Sequence, residues 1–162
     1  MRDEWIERLA RLFEEHPAWV AAAGRLSPDA ASAVFFRHRP GEVWHLEQAA
    51  VGSRLLPGAA RDPDLVFRFT PRSVERLEAV TGGIGEFAVA LFALMTEGDP
   101  EARVDFRIAA DFSRLARRGY LSLLLAAGPG VLAFGAAHGI RTLGALRRFA
   151  AGLRRDPEPW ER

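Results

Sequence analysis

Residues 119–140, GYLSLLLAAGPGVLAFGAAHGI, hold no charged side chain, and arginines flank them on both sides. Such a run is a membrane span, the heart of a soluble core, or the wall of a site for an apolar molecule. A span needs about 20 predominantly apolar residues and tolerates proline, so length alone would pass. Other features tell against it. Nearly half the run is Gly and Ala, and arginines at both ends give no orientation signal. The helix also starts earlier, with Asp111 as its N-cap. From there Phe112, Leu115, Ala116, Gly119, Tyr120, Leu123, Leu124 and Ala127 fall on one stripe, and Ser113, Arg114, Arg117 and Arg118 on another. One amphipathic phase therefore runs through the supposed membrane boundary until Gly128-Pro129-Gly130 divides the run.

A chain of 162 residues suits one domain and is long enough to bury a core. It has no cysteine, which excludes disulfides, thiol catalysis and thiolate metal sites. The segment MRDEWIERLARLFEEH is charged and amphipathic rather than a secretory apolar run, so a cytoplasmic protein is expected, with the membrane periphery as a place of contact. The net charge of +1 hides an asymmetry: residues 1–111 carry 13 Arg and 18 Asp/Glu, and residues 112–162 carry 9 Arg and 3 Asp/Glu. Every basic residue but histidine is arginine.

The periodicities predict an α+β domain. A first helix spans Glu4 to about Glu15, with Trp5, Ile6, Leu9, Leu12 and Phe13 at helical spacing and Asp3 as N-cap. Pro17 opens a short second helix that Gly24 ends. The runs SAVFFRH (32–38) and EVWHLEQ (42–48) form a hairpin through Arg39-Pro40-Gly41. Residues 52–64 form a loop with room for a short strand. LVFRFT (65–70) alternates, with Leu65, Phe67 and Phe69 on one face. Thr70-Pro71 caps a helix that Gly82-Gly83 closes. The next helix, 84–95, is apolar on every side over 87–95, and so asks to be buried all round. A strand at 103–109 points Val104, Phe106 and Ile108 inward and Asp105 and Arg107 outward.

This order of elements, together with DPDLVFRFTPRSVERLEAVTGG and FAVALFALMTEGD…VDFRIAADFSRL, resembles the sterol-carrier-protein type 2 family over residues 30–125. Residues 1–29 then form N-terminal helices, and residues 126–162 a helical extension. The chain departs from the family in the acidic loop TEGDPEA, where a basic Gly-Lys start to the last strand is usual. The resemblance implies a five-stranded, mainly antiparallel sheet covered by helices, and a tunnel for acyl chains, sterols or isoprenoids, with no catalytic residue and no cofactor or metal.

The residues themselves also leave room for a lipid, since segments 87–95 and 119–137 both demand burial and one small sheet has few faces to offer. Candidate wall residues are Trp44, Phe67, Phe87, Leu91, Met95, Phe106, Tyr120, Leu124 and Phe134. Met95 adapts to irregular guests, and the Tyr120 hydroxyl could hold a polar head. In IRTLGALRRFAAGLRR the apolar stripe Leu143, Leu146, Phe149, Ala150 and Leu153 is bordered by Arg141, Arg147, Arg148, Arg154 and Arg155, a pattern fit for an anionic membrane surface. The alternative is an interaction module with a solid core, which would form a homo-dimer or partner interface. His45 and Glu47 share a strand face and would anchor an enzyme reading. No nucleic-acid signature is present.

Overall fold

The computed structural model describes residues 3–162. Helix α1 (Glu4–Glu15) is capped by Asp3, whose carboxylate accepts from the Trp5 amide at 2.8 Å. Its polar face stays in water, and Ile6, Leu9, Leu12 and Phe13 are buried. Pro17 opens α2 (Pro17–Ala23), and the His16 ring is its N-cap. Five strands follow the expected chemistry: β1 (Ala31–Phe36), β2 (Val43–Gln48), β3 (Ser53–Pro57), β4 (Leu65–Phe69) and β5 (Asp105–Ile108). The short strand within the 52–64 loop is β3.

The sheet runs β3-β2-β1-β4-β5, and every neighbouring pair is antiparallel except β1 with β4. This is the five-stranded, mainly antiparallel architecture expected of the sequence. Its main face, carrying Val34, Phe36, Trp44, Leu46, Leu55, Phe67 and Phe69, packs on α1, on α3 (Pro71–Glu78) and on one side of α4 (Ile84–Met95). Phe13 meets Phe69 and Trp19 edge-on. Trp19 donates its indole N–H to the buried Ser53 hydroxyl at 3.0 Å, so the ring's one polar group is satisfied inside the core.

The second face is covered by the end of the chain. A 3₁₀ turn at Pro159–Glu161 lays Trp160 edge-on against Phe35 and under the Arg68 guanidinium. Glu161 receives two hydrogen bonds from Arg107 Nε, at 3.0 and 2.8 Å. Arg107 therefore does not point into water, as strand alternation suggested, but is buried beneath this turn. Central strand β1 is buried at five of six positions because both faces are covered.

The expected single helix from Asp111 to Ala127 is two helices. Asp111 does cap α5 (Phe112–Arg117), but Gly119 takes φ +92° and interrupts the helix before α6 (Tyr120–Ala126). A β-carbon on Gly119 would overlap the Arg25 carbonyl oxygen, so only glycine fits this crossing of the N-terminal segment. Gly128-Pro129-Gly130 then separates α6 from α7 (Pro129–Ala137), whose axis turns by 101°. Among the described residues no single helix is long and apolar enough to cross a membrane. Thr142 caps α8 (Leu143–Leu153), which packs against β5 and α5 through Ala150 and Leu153.

Candidate functional site

Helix α4 differs from the sequence expectation. Only Phe87 and Leu94 of its twelve residues are buried. Leu91 and Met95 are half-buried against the core, and Ala93 is exposed. The outer side is met by α7, where Phe92 stacks on Phe134 at 6.0 Å between ring centroids. At its N-terminal end the backbone of Gly85 lies so close to the Ala127 carbonyl that a β-carbon would overlap it. The contact of α4 with α7 and with the end of α6 is therefore made by rings and bare backbone. It covers one flank of α4 and leaves neighbouring apolar residues half open.

Helices α6–α8 bury still less. Neither α6 nor α8 has a buried residue, and α7 has only Val131. Four of the five large apolar residues exposed in the described chain lie here: Leu125 (73%), Leu132 (60%), Leu143 (65%) and Phe149 (46%). The cause is composition. Helices α6 and α7 are apolar on every side, and the sheet face that could cover them is already occupied by α1, α3 and α4.

The nine candidate wall residues divide accordingly. Trp44, Phe67 and Phe87 belong to the main core; Leu91, Met95 and Phe106 border it. Leu124 and Phe134 lie half-exposed on α6 and α7. The structure thus joins six of them on one core and sets the other three on its flank. Tyr120 is engaged elsewhere: its hydroxyl donates to Asp64 Oδ2 at 3.2 Å. Burial pushes the Tyr120 phenol up, and the Asp64 carboxylate adds to that, so the hydroxyl is held as a neutral donor.

Asp64 itself was not singled out in the sequence. It is fully buried at the start of β4. Arg118 donates to Oδ1 at 2.7 Å, Arg114 Nε stands 3.0 Å from the same oxygen, and the Ala31 amide donates to Oδ2 at 3.3 Å. Its backbone carbonyl accepts from Ala109 and Ala110. Through its side chain and its carbonyl, this one residue welds the ends of β1, β4 and β5 to the α5–α6 junction. The available signal was the pair Asp62 and Asp64 directly before an apolar strand, with Arg114 and Arg118 one helical turn apart.

An enclosed apolar cavity was expected between the last helices and the sheet; of two hollows that stand out at the surface, the more apolar one lies between α8 and strand β5. One, of about 280 Å³, is lined by Ser27, Asp29, Arg114, Arg117 and Arg118. The other, of about 180 Å³, has an apolar floor of Ile108, Ala110, Phe112 and Leu115 under α8, with Arg147 and Arg154 at its rim. Of the five arginines predicted for a membrane surface, Arg141, Arg147, Arg148, Arg154 and Arg155 are all exposed on or beside α8. Arg147 lies over the Phe112 ring, and Arg155 reaches the Phe106 carbonyl at 2.9 Å.

On the hairpin, His45 Nδ1 lies 2.9 Å from the Gly58 carbonyl oxygen, and Nε2 is 4.0 Å from Glu47. No group of three His, Asp or Glu in metal-binding proximity occurs among the described residues.

No family model matches the chain, and no curated protein matches it. Among solved structures it is similar to one described as "UbiJ-SCP2 Ubiquinone synthesis protein", at 18% identity and a TM-score of 0.43, over 75% of this chain and 87% of that one. An overlap this loose says nothing of ligand or activity.

Proposed function

We propose that the chain binds a hydrophobic lipid of acyl, sterol or isoprenoid kind, and carries or presents it without catalysing a reaction. One observation carries this reading: the apolar side chains of α4, α6 and α7 are left half-covered beside one another. A guest lying along them would hide area that the fold itself does not. Each buried CH₂ contributes about 0.8 kcal/mol, so a 16-carbon chain gains on the order of 10 kcal/mol before ordering costs.

The connections suit entry from the side. Gly119 and Gly128, both at positive φ, bound α6. Lifting α6–α7 from α4 separates the Phe92–Phe134 stack but leaves the sheet core closed. The guest would then replace Phe134 of α7 against Phe92. The sequence pattern resembling sterol-carrier domains supports the same class of ligand.

Native mass spectrometry of gently purified protein tests this. A co-purified lipid, or a mass increase on adding fatty acid or isoprenoid quinone, is the expected result. A clean protein mass with no gain from any of these would overturn the reading.

A further inference from the structure

Leu125 and Leu132 stand on either side of Gly128-Pro129-Gly130, at the corner where α6 turns into α7. They are 73% and 60% exposed, and Pro129, Gly130 and Ala133 are exposed with them. Residues 119–140 bring no charge to this corner, whereas residues 112–155 contain eight arginines and no Asp or Glu. An uncharged apolar tip thus sits within a purely cationic segment.

The dimensions match an interfacial element. Helices α6 and α7 have seven and nine residues, so their arms are about 10 and 13 Å long. With a 101° turn between them, the far ends stand roughly 8–10 Å behind the corner. Arg117 is exposed just before the first arm and Arg141 just after the second. Interfacial helices bury their apolar parts about 5–10 Å deep. A corner at that depth therefore brings these two guanidinium groups to the level of the lipid headgroups.

We infer that the α6–α7 elbow is a wedge that docks this protein on an anionic bilayer. Leu125, Pro129 and Leu132 enter the acyl boundary, and Arg117, Arg141 and the exposed arginines of α8 meet headgroup phosphates. Residues 1–111 carry five more acidic than basic side chains, so the bilayer is met by the arginine-rich remainder of the chain. A second copy of the chain is a poorer occupant: a two-fold interface through this segment would set the exposed Arg117, Arg141, Arg147, Arg148 and Arg154 against the same five of the other copy. The inference goes beyond lipid binding, since docking does not require a lipid to be held inside.

Vesicle flotation tests it, with phosphatidylcholine vesicles with and without phosphatidylglycerol, at low and at high salt. The wild-type chain is expected to float with the anionic vesicles at low salt and to be released by high salt. Leu125→Gln with Leu132→Gln should weaken binding at least tenfold, from lost apolar insertion. Arg141→Gln with Arg148→Gln should weaken it on anionic vesicles alone. Because the chain has no cysteine, Leu132→Cys bearing an environment-sensitive dye gives a readout independent of the glutamine variants. Its emission should shift to the blue on anionic vesicles, and a dye on Ser113→Cys, at the exposed start of α5, should not shift. Failure of the wild type to float, equal flotation of the leucine pair, or no dye shift at position 132 would each overturn the wedge. So would a wild-type dimer that Leu125→Gln and Leu132→Gln convert to monomer, which would assign the corner to a second copy. Native mass spectrometry reads retained lipid separately, so either proposal can fail alone.

Discussion

Helix α1 buries Ile6, Leu9, Leu12 and Phe13 and turns its glutamates to water, whereas α7 buries Val131 alone and leaves Leu132 60% exposed. Six of the twelve residues of α1 are charged and none of the nine in α7, and the arrangement follows from that. In α1 the apolar residues form one stripe that a sheet face can cover completely, with the charged side left for solvent. Helix α7 has no polar side. Whichever flank it lays on α4, another apolar flank remains outside. The same contrast extends to whole regions. The sheet with α1, α3 and the inner side of α4 forms a closed core, and α6–α8 form an apolar, arginine-bordered flank. Apolar residues in the first region stabilise the fold; those in the second are available to something outside it.

The sharpest way to break this comparison is to truncate one residue from each region. Phe69→Ala removes a ring packed between Phe13 and Phe67 in the core and should cost about 3–5 kcal/mol. Leu132→Ala should change stability by no more than about 0.5 kcal/mol. Urea unfolding of both variants reads the difference. Comparable losses would mean that α7 is core after all.

A smaller effect is expected at the joint between the regions. Asp64→Asn keeps the shape of the side chain but removes the charge that faces Arg114 and Arg118. Breaking a buried pair costs about 3–5 kcal/mol, and Arg114 retains Asp62, so a loss of about 2–3 kcal/mol is expected. The shape of the transition adds information. If Asp64 couples the flank to the core, the variant should show α5–α8 melting ahead of the sheet by amide hydrogen exchange. Uniform exchange in both regions would show that the weld lies elsewhere.

How far the sequence could be read follows the same division. Helix α1, the β1–β2 hairpin, the alternation in β4 and the caps Asp3, Thr70 and Asp111 were legible, because each is set by local spacing or by one side chain beside its own backbone. The break at Gly119 was not. In a periodic pattern that glycine sits on the apolar stripe like a small residue, and its reason is the Arg25 carbonyl, 94 positions earlier in the chain. Burial of Arg107 was likewise invisible, since it depends on Glu161 crossing the second sheet face. For the candidate site, the apolar excess of 87–95 and 119–137 was legible, but not its placement. The sequence demanded cover for both segments, and the sheet face had none left, so part of the excess stands outside.

The smallest expected effect separates the two regions by chemistry rather than by packing. Helix α1 is capped by a carboxylate, and α8 by the Thr142 hydroxyl, which accepts from the Ala145 amide at 3.0 Å and does not titrate. Burial of the Asp3 carboxyl favours its neutral form, but the Trp5 amide and the His38 ring favour the charged form and prevail, so its pKa lies below the ordinary 3.8. A lowered carboxyl pKa stabilises the fold above the unfolded value and loses that contribution as pH falls through the folded value. The α1 cap should therefore weaken only below about pH 4, while the α8 cap stays constant. Amide NMR across an acid titration should show Trp5 following Asp3 and Ala145 unmoved until global unfolding. Asp3→Asn, which can still accept at an N-cap, should abolish the Trp5 titration without moving Ala145. Were Ala145 to shift together with Trp5, acid would be loosening both regions at once, and the contrast between a self-sufficient core and a loosely held flank would lose its footing.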